Sequence, residues 1–121
     1  MDQELFGLCK QVYEKTGWVN TYFYIHIESK EIESYVFGDL KKPLSDMYIP
    51  LYTSDYLLEK LPRRINKMPI NIHEIDGKWL SRYGYNVDDL YGFEVISYAS
   101  SDTPLKSLLK LTLSLYEAGE L

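Results

Sequence analysis

Arg63 and Arg64, with Lys60 and Lys67 close by, form the local basic cluster of this chain, and Trp79, Arg82 and Tyr83 follow on the next alternating segment. Planar guanidinium groups beside aromatic rings suit a phosphate, a nucleotide base or an acidic protein surface. Arg63, Arg64, Trp79, Arg82 and Tyr83 are therefore the candidate binding residues, and they define one functional reading: a small-ligand or nucleotide sponge with an Arg/aromatic pocket. The competing reading is a solvated, positively charged helix end, which the helix dipole favours without any ligand.

Other chemistry-bearing residues point less far. His26 and His73 each sit in an alternating, strand-like stretch, without the close second ligand that a metal site needs. His73-Glu74 is half of a zincin motif, but the second histidine is missing and the local pattern is strand instead of helix. Cys9 lies in a helical pattern beside Leu5, Leu8 and Val12, which predicts a buried thiol; it has no adjacent histidine to activate it. Asp88-Asp89 are neighbours in a turn-like segment, where side chains diverge and meet water, not a substrate proton. The glycines are dispersed singly, so there is no phosphate cradle of the Walker or dinucleotide type. No metal, no cofactor and no catalytic residue is expected, and the chain reads as non-enzymatic.

These residues must be held by a chain of 121 residues, long enough for one domain with a real core. Its hydrophobic fraction of 45% and charged fraction of 26% are those of an ordinary globular fold. A net charge of −5 argues against nucleic acid or anionic membrane as partner, since both call for a basic surface. One cysteine rules out an intrachain disulfide framework and fits a reducing compartment. With no signal peptide and no apolar run of membrane length, the expected location is the cytoplasm. The 12 tyrosines are the compositional anomaly. A large ring with a hydroxyl favours strands, half-buried faces and interfaces.

The periodicity predicts a helix from Asp2 to Lys15 ended by Gly17, then a strand from Thr21 to Glu28 with Phe23, Ile25 and Ile27 on one face and Tyr22, Tyr24 and His26 on the other. Ile32 to Phe37 predicts its hairpin partner. Gly38 to Tyr52, with Pro43 and Pro50, reads as a loop pinned by Leu44, Met47, Ile49 and Leu51. Thr53 or Ser54 should cap a short helix reaching Leu61, stopped by Pro62. Pro69 to Ile75 and Lys78 to Tyr83 flank Asp76-Gly77, a strong hairpin signal, and Tyr91 to Ala99 supplies another strand.

The last element carries the strongest pattern. Thr103 is the expected N-cap, Pro104 the first helical residue and Gly119 the C-terminal stop. Leu105, Leu108, Leu109, Leu111, Leu113, Leu115 and Tyr116 cover roughly half of the wheel at ~100° per residue, leaving a narrow polar strip of Lys106, Ser107, Lys110, Ser114 and Glu117. So wide an apolar face asks for cover on more than one side. Leu111 and Leu115, with Tyr22 and Tyr24, are accordingly the interface candidates. The expected class is α+β: an antiparallel sheet of about five strands in two hairpin-linked groups, with the Leu-rich C-terminal helix and one or two further helices packed on it. A single domain over residues 1–121 is the economical arrangement, and two subdomains sharing a sheet edge are the alternative.

QVYEKTGW (Gln11 to Trp18), YTSDYLLEKLP (Tyr52 to Pro62) and the closing DTPLKSLLKLTLSLYEAGEL together resemble a family of small accessory proteins of tailed bacteriophages and prophages. In that family a Leu-Pro segment precedes a strand hairpin and the chain ends in a Leu-rich helix. The family has no assigned activity, so the resemblance transfers no catalytic or binding role to any residue here. It implies a setting: a small acidic protein in the bacterial host cytoplasm that binds a host or phage protein, for example to block a defence factor; the homodimer expected beside it rests on the over-wide helix face and the Tyr surplus, not on the resemblance.

Overall fold

Asp2 opens the chain's first helix, α1 (Gln3–Thr16), by accepting the backbone N–H groups of Glu4 and Leu5 at 2.9 and 3.1 Å. Gly17 closes it in the left-handed region at φ 71°, where a side chain would be strained, and returns its N–H to the Tyr13 carbonyl. Phe6, Leu8, Cys9 and Val12 are the buried stripe. The computed structural model describes residues 2–19, 21–34, 47–84 and 97–121. The expected end of the second strand (residues 35–37), Leu44, the turn with Asp88-Asp89 and the start of the last strand fall outside those residues.

The chain divides into two compact units, Met1–Thr53 and Ser54–Leu121. The first holds α1 and a three-stranded antiparallel sheet of β1 (Phe23–His26), β2 (Ile32–Ser34) and β3 (Tyr48–Leu51), in the order β2-β1-β3. β3 lies where a loop was expected. Pro50 hides it in the sequence, yet an edge strand tolerates a residue without an N–H, and Pro50 pairs opposite Tyr24. Ile49 and Pro50 are buried, and α1 packs against this strand.

The predicted sharing of faces along β1 follows the register, but burial does not follow the faces. Ile25 and Tyr24, on opposite faces, are both buried, while Phe23 is 41% exposed. Tyr24 therefore belongs to the core, its hydroxyl donating to the Val19 carbonyl at 3.2 Å.

The second unit holds α2 (Ser54–Lys60), then β4 (Arg64–Ile65), β5 (Met68–Ile75), β6 (Lys78–Tyr83) and β7 (Ser97–Ser101), and last α3 (Pro104–Glu117). Its four strands are antiparallel in sequence order. The α+β class is as predicted. Among the described residues the two expected strand groups are two sheets, of three and four strands, with β3 and the two-residue β4 added to the five strands expected.

Both tight hairpins of this unit turn through paired positive φ values: Asn66 and Lys67 at 48° and 68°, Asp76 and Gly77 at 51° and 80°. That is the geometry whose twist suits antiparallel strands. It predicts opposite outcomes at the two second positions. Gly77→Val should lower stability by about 1–2 kcal/mol, the cost of forcing a branched residue into the left-handed region. Lys67→Gly should shift the urea midpoint upward. Equal midpoints for both variants and wild type would contradict this turn geometry.

α3 is capped as expected. Thr103 accepts from the Lys106 N–H at 3.2 Å, and Pro104 occupies the first turn. At the other end Gly119, φ 74°, donates to Tyr116 and Glu120 donates to Leu115, the paired bonds of a Schellman stop. The helix packs on β6, β7 and α2. Its apolar face is covered within the chain: Leu108, Leu109, Leu111 and Leu115 are fully buried. Part of the expected polar strip is buried too. Ser107 shares a 2.5 Å hydrogen bond with Ser81 on β6, and buried Lys106 pairs with Asp102 at 3.3 Å. Leu111 and Leu115 are thus core residues and present no surface to a partner. Tyr116, 41% exposed, is the most open residue of that face, and Leu105 and Leu113 are half-buried.

Candidate functional site

Side chains alternate across a strand, and residues directly opposite in an antiparallel pair share a face. The register of β5 and β6 pairs Asn71 with Arg82, His73 with Leu80 and Ile75 with Lys78 on one face, and Ile70 with Tyr83, Ile72 with Ser81 and Glu74 with Trp79 on the other. Arg64, opposite Pro69, joins the Arg82 face. The second face is the one α3 covers, through Ser81 and Ser107.

This sorting divides the predicted binding residues. Arg64 and Arg82 share the face away from α3. Trp79 and Tyr83 belong to the helix side, Trp79 half-buried and Tyr83 wholly buried. The Tyr83 hydroxyl donates to the Pro62 carbonyl at 2.5 Å, and burial pushes its ionisation up to about 12, so it is a structural phenol. Arg63 is exposed ahead of β4, its carbonyl taking the Ile70 N–H at 3.2 Å. The predicted Arg/aromatic cluster is therefore not one site, and the strand period is the physical reason.

On the Arg82 face the register places Asn71 on one side of it and Tyr98 on the other, with His73 and Leu80 the next pair along. Asn71, directly opposite, is clamped by its amide Nδ2 to the carbonyls of Pro69 and Gly84 at 3.2 and 2.8 Å. His73 lies on the cross-strand diagonal. Its Nε2 is buried and has no hydrogen-bond partner among the described residues. Arg82 itself is buried, with only 9% exposed, whereas Arg64, Lys78 and Ser100 around it are exposed.

Desolvation first, and the Arg82 charge second, hold the His73 imidazole below its ordinary value of 6.5. The sign of the consequence follows from linkage. The unfolded chain gains a proton at His73 as pH falls through 6.5, while the folded chain resists it, so stability drops over that descent until the folded group also titrates. His73→Gln should remove this portion of the acid dependence. The check is the urea midpoint of both proteins at neutral and mildly acidic pH; parallel losses in the two would contradict the reading.

Comparison with family models, with curated proteins and with solved structures finds no match to the chain. The site therefore rests on its own geometry.

The first unit offers a different kind of surface. Cys9 is fully buried, and desolvation pushes its thiol up to about 11 against a backbone hydrogen bond with Tyr52, so it is no nucleophile at neutral pH. His26 accepts the Ser29 N–H on Nδ1 at 3.2 Å and stands edge-on to Tyr48, ring centroids 5.1 Å apart. A hydrogen bond to Glu33, the leading cause, raises the Tyr48 phenol above its ordinary 10.0. On the other face, Phe23 and Ile32 are diagonal neighbours, 41% and 52% exposed, and Met47, whose carbonyl accepts the Ile27 N–H, continues the same ladder. Tyr22, next to Phe23, is 80% exposed. Of the interface candidates, Tyr22 alone is on the surface. Among the described residues no group of three or more His, Cys, Asp or Glu is placed to hold a metal ion, and no helix is long and apolar enough to cross a membrane.

Proposed function

We propose that this chain is a non-catalytic binding protein that docks on another protein through its three-stranded sheet, as a phage-type accessory protein acting on a host or phage target in the bacterial cytoplasm. The observation that carries the reading is the exposure of Phe23 and Ile32 on one face of that sheet, with Met47 at the end of the same ladder and Tyr22 exposed just before β1. Large apolar and aromatic side chains on a rigid sheet are the anchors that protein interfaces use, and a run of them at a surface usually marks a contact. With Leu111 and Leu115 buried, the sheet replaces the C-terminal helix as the docking surface, and the Tyr surplus supports the reading at one position, Tyr22.

The test is retention of a host protein by the immobilised chain, compared with a Tyr22→Ser, Phe23→Ser double variant whose folding is checked by circular dichroism. A protein held by the wild type and lost by the variant supports the reading. Equal retention by both, or none by either, overturns it.

A further inference from the structure

The backbone groups that a sheet leaves unpaired are as informative as its side chains. Ile75 and Lys78 close the β5–β6 hairpin, and at its far end the Gly84 N–H donates to the Pro69 carbonyl. Asn71, His73 and Ile75 therefore turn their N–H and C=O groups inward to β6, and Ile70, Ile72 and Glu74 turn theirs outward. The Ile70 N–H meets the Arg63 carbonyl, the last rung towards β4; Pro62, held by the Tyr83 hydroxyl, then leads the chain off the edge. The outward groups of Ile72 and Glu74 meet no hydrogen-bond partner among the described residues, and Glu74 and Ile75 are exposed. An open strand edge invites a further strand, and proteins blunt such edges with brevity, proline or lysine. Among the described residues the other edges are blunted. β2 and β4 run for three and two residues, Pro50 lies within β3, and Lys110 of α3 donates to the Ser100 carbonyl of β7 at 3.4 Å. From Ile72 to Ile75, β5 carries none of these guards.

We propose that the edge of β5 from Ile72 to Ile75 is a homodimer contact, where the same edge of a second copy pairs antiparallel about a two-fold axis at His73. In that register Ile72 lies opposite the second copy's Glu74, and Glu74 opposite its Ile72. These are the residues with outward groups on both copies, so each pair exchanges both of its hydrogen bonds. The neighbouring registers fail. An axis at Glu74 sets two carboxylates directly opposite each other, which is destabilising. An axis at Ile72 needs the outward side of Ile70, which Arg63 already holds. This self-match commits the edge to a second copy, since an unrelated strand would meet it through backbone alone. On the α3 side the two Ile72 side chains meet across one diagonal, and the exposed Glu74 carboxylates stand about 7–8 Å apart across the other, a small cost screened by salt. At the axis the His73 rings meet, held neutral near neutral pH by desolvation and then by the Arg82 charge, so no like charges face each other there. The contact is small, so the expected association is weak, with a Kd on the order of 0.1 mM. It lies on the four-stranded sheet and is independent of the surface assigned above to a protein target.

The test uses the full chain at neutral pH, from about 10 μM to about 1 mM so as to bracket that Kd, with sedimentation equilibrium and amide hydrogen exchange read by NMR. A dimer fraction that rises over this range is expected. The Ile72 and Glu74 amides should exchange more slowly as concentration rises, whereas those of His73 and Ile75, bonded to β6, should be protected throughout. Glu74→Pro removes an outward N–H without touching the β5–β6 ladder, and should weaken the dimer by about tenfold or more. Should that variant not fold, Ile75→Lys places a guard on an exposed edge position and should weaken the dimer likewise. The Tyr22→Ser, Phe23→Ser variant should dimerise as the wild type does. A chain that stays monomeric up to about 1 mM overturns the assignment, because even a transient contact should show there. So does a dimer whose Ile72 and Glu74 exchange ignores concentration, or one that a folded edge variant leaves unchanged. Loss of the dimer in the Tyr22, Phe23 variant would assign it to the three-stranded sheet instead, and would also overturn the edge contact.

Discussion

Leu111→Ala is expected to lower the unfolding free energy by about 2–5 kcal/mol, the range for emptying a leucine-sized volume in a packed core. Leu111 is fully buried on a helix that packs against β6, β7 and α2. The loss is a large share of the ~5–15 kcal/mol that holds a typical domain together. The same substitution separates two accounts of the wide apolar face of α3. If Leu111 were an interface residue, alanine would shift an association equilibrium and leave the urea midpoint at low protein concentration where it was. As a core residue, it should move the midpoint at every concentration and leave sedimentation unchanged. A midpoint that moves only at high concentration would sink the core assignment.

Why α3 looked like an interface is instructive. Half a wheel of leucine, read from the sequence, exceeds what one sheet covers. The second unit meets that excess with more than a sheet, since α2 packs on the helix too, and it buries even the start of the polar strip. Lys106 and Ser107 go under because each brings its own partner, Asp102 one turn back and Ser81 on β6. Partners of that kind are tertiary facts. A helical wheel sorts residues by type and cannot tell a polar residue that will meet water from one that will meet another polar residue.

Local chemistry, by contrast, was readable. Gly17, Thr103, Pro104, Gly119 and the Asp76-Gly77 pair all stand where their capping and turn preferences put them, since those preferences act over a few residues. β3 was hidden because its evidence is a partner strand, not its own pattern: Pro50 speaks against a strand until Tyr24 is seen across from it. The binding cluster is a different case. Trp79, Arg82 and Tyr83 were grouped by nearness in sequence, yet the strand period, already assigned to that segment, places Arg82 opposite both rings. The same period would have put Lys78 with Arg82 and, given the Asp76-Gly77 hairpin, His73 and Asn71 beside them. Only the buried Nε2 of His73 lay beyond the sequence, because burial depends on what surrounds the face.

The first unit should be most sensitive at Tyr52. This ring is fully buried directly after β3, and its hydroxyl donates to the Trp18 carbonyl at 2.7 Å, just past the Gly17 stop of α1. One side chain therefore ties the end of the helix to the end of the edge strand, across a separation of 34 residues. Tyr52→Phe keeps the ring and strands the Trp18 carbonyl, at an expected cost of about 1–3 kcal/mol. Tyr52→Ala removes the ring as well and should cost about 3–5 kcal/mol, the range for deleting a large buried aromatic side chain. Cys9 supplies a reporter in the same unit. Its buried thiol, raised to about 11, should react with a thiol reagent only when the unit opens. Labelling of Cys9 should then quicken in the order wild type, Tyr52→Phe, Tyr52→Ala, with about tenfold for each ~1.4 kcal/mol lost while opening and closing remain faster than reaction. If Tyr52→Phe matches wild type in both urea midpoint and labelling rate, the hydrogen bond to Trp18 carries no weight and packing alone joins helix to strand. If Tyr52→Ala matches as well, the tie does not exist.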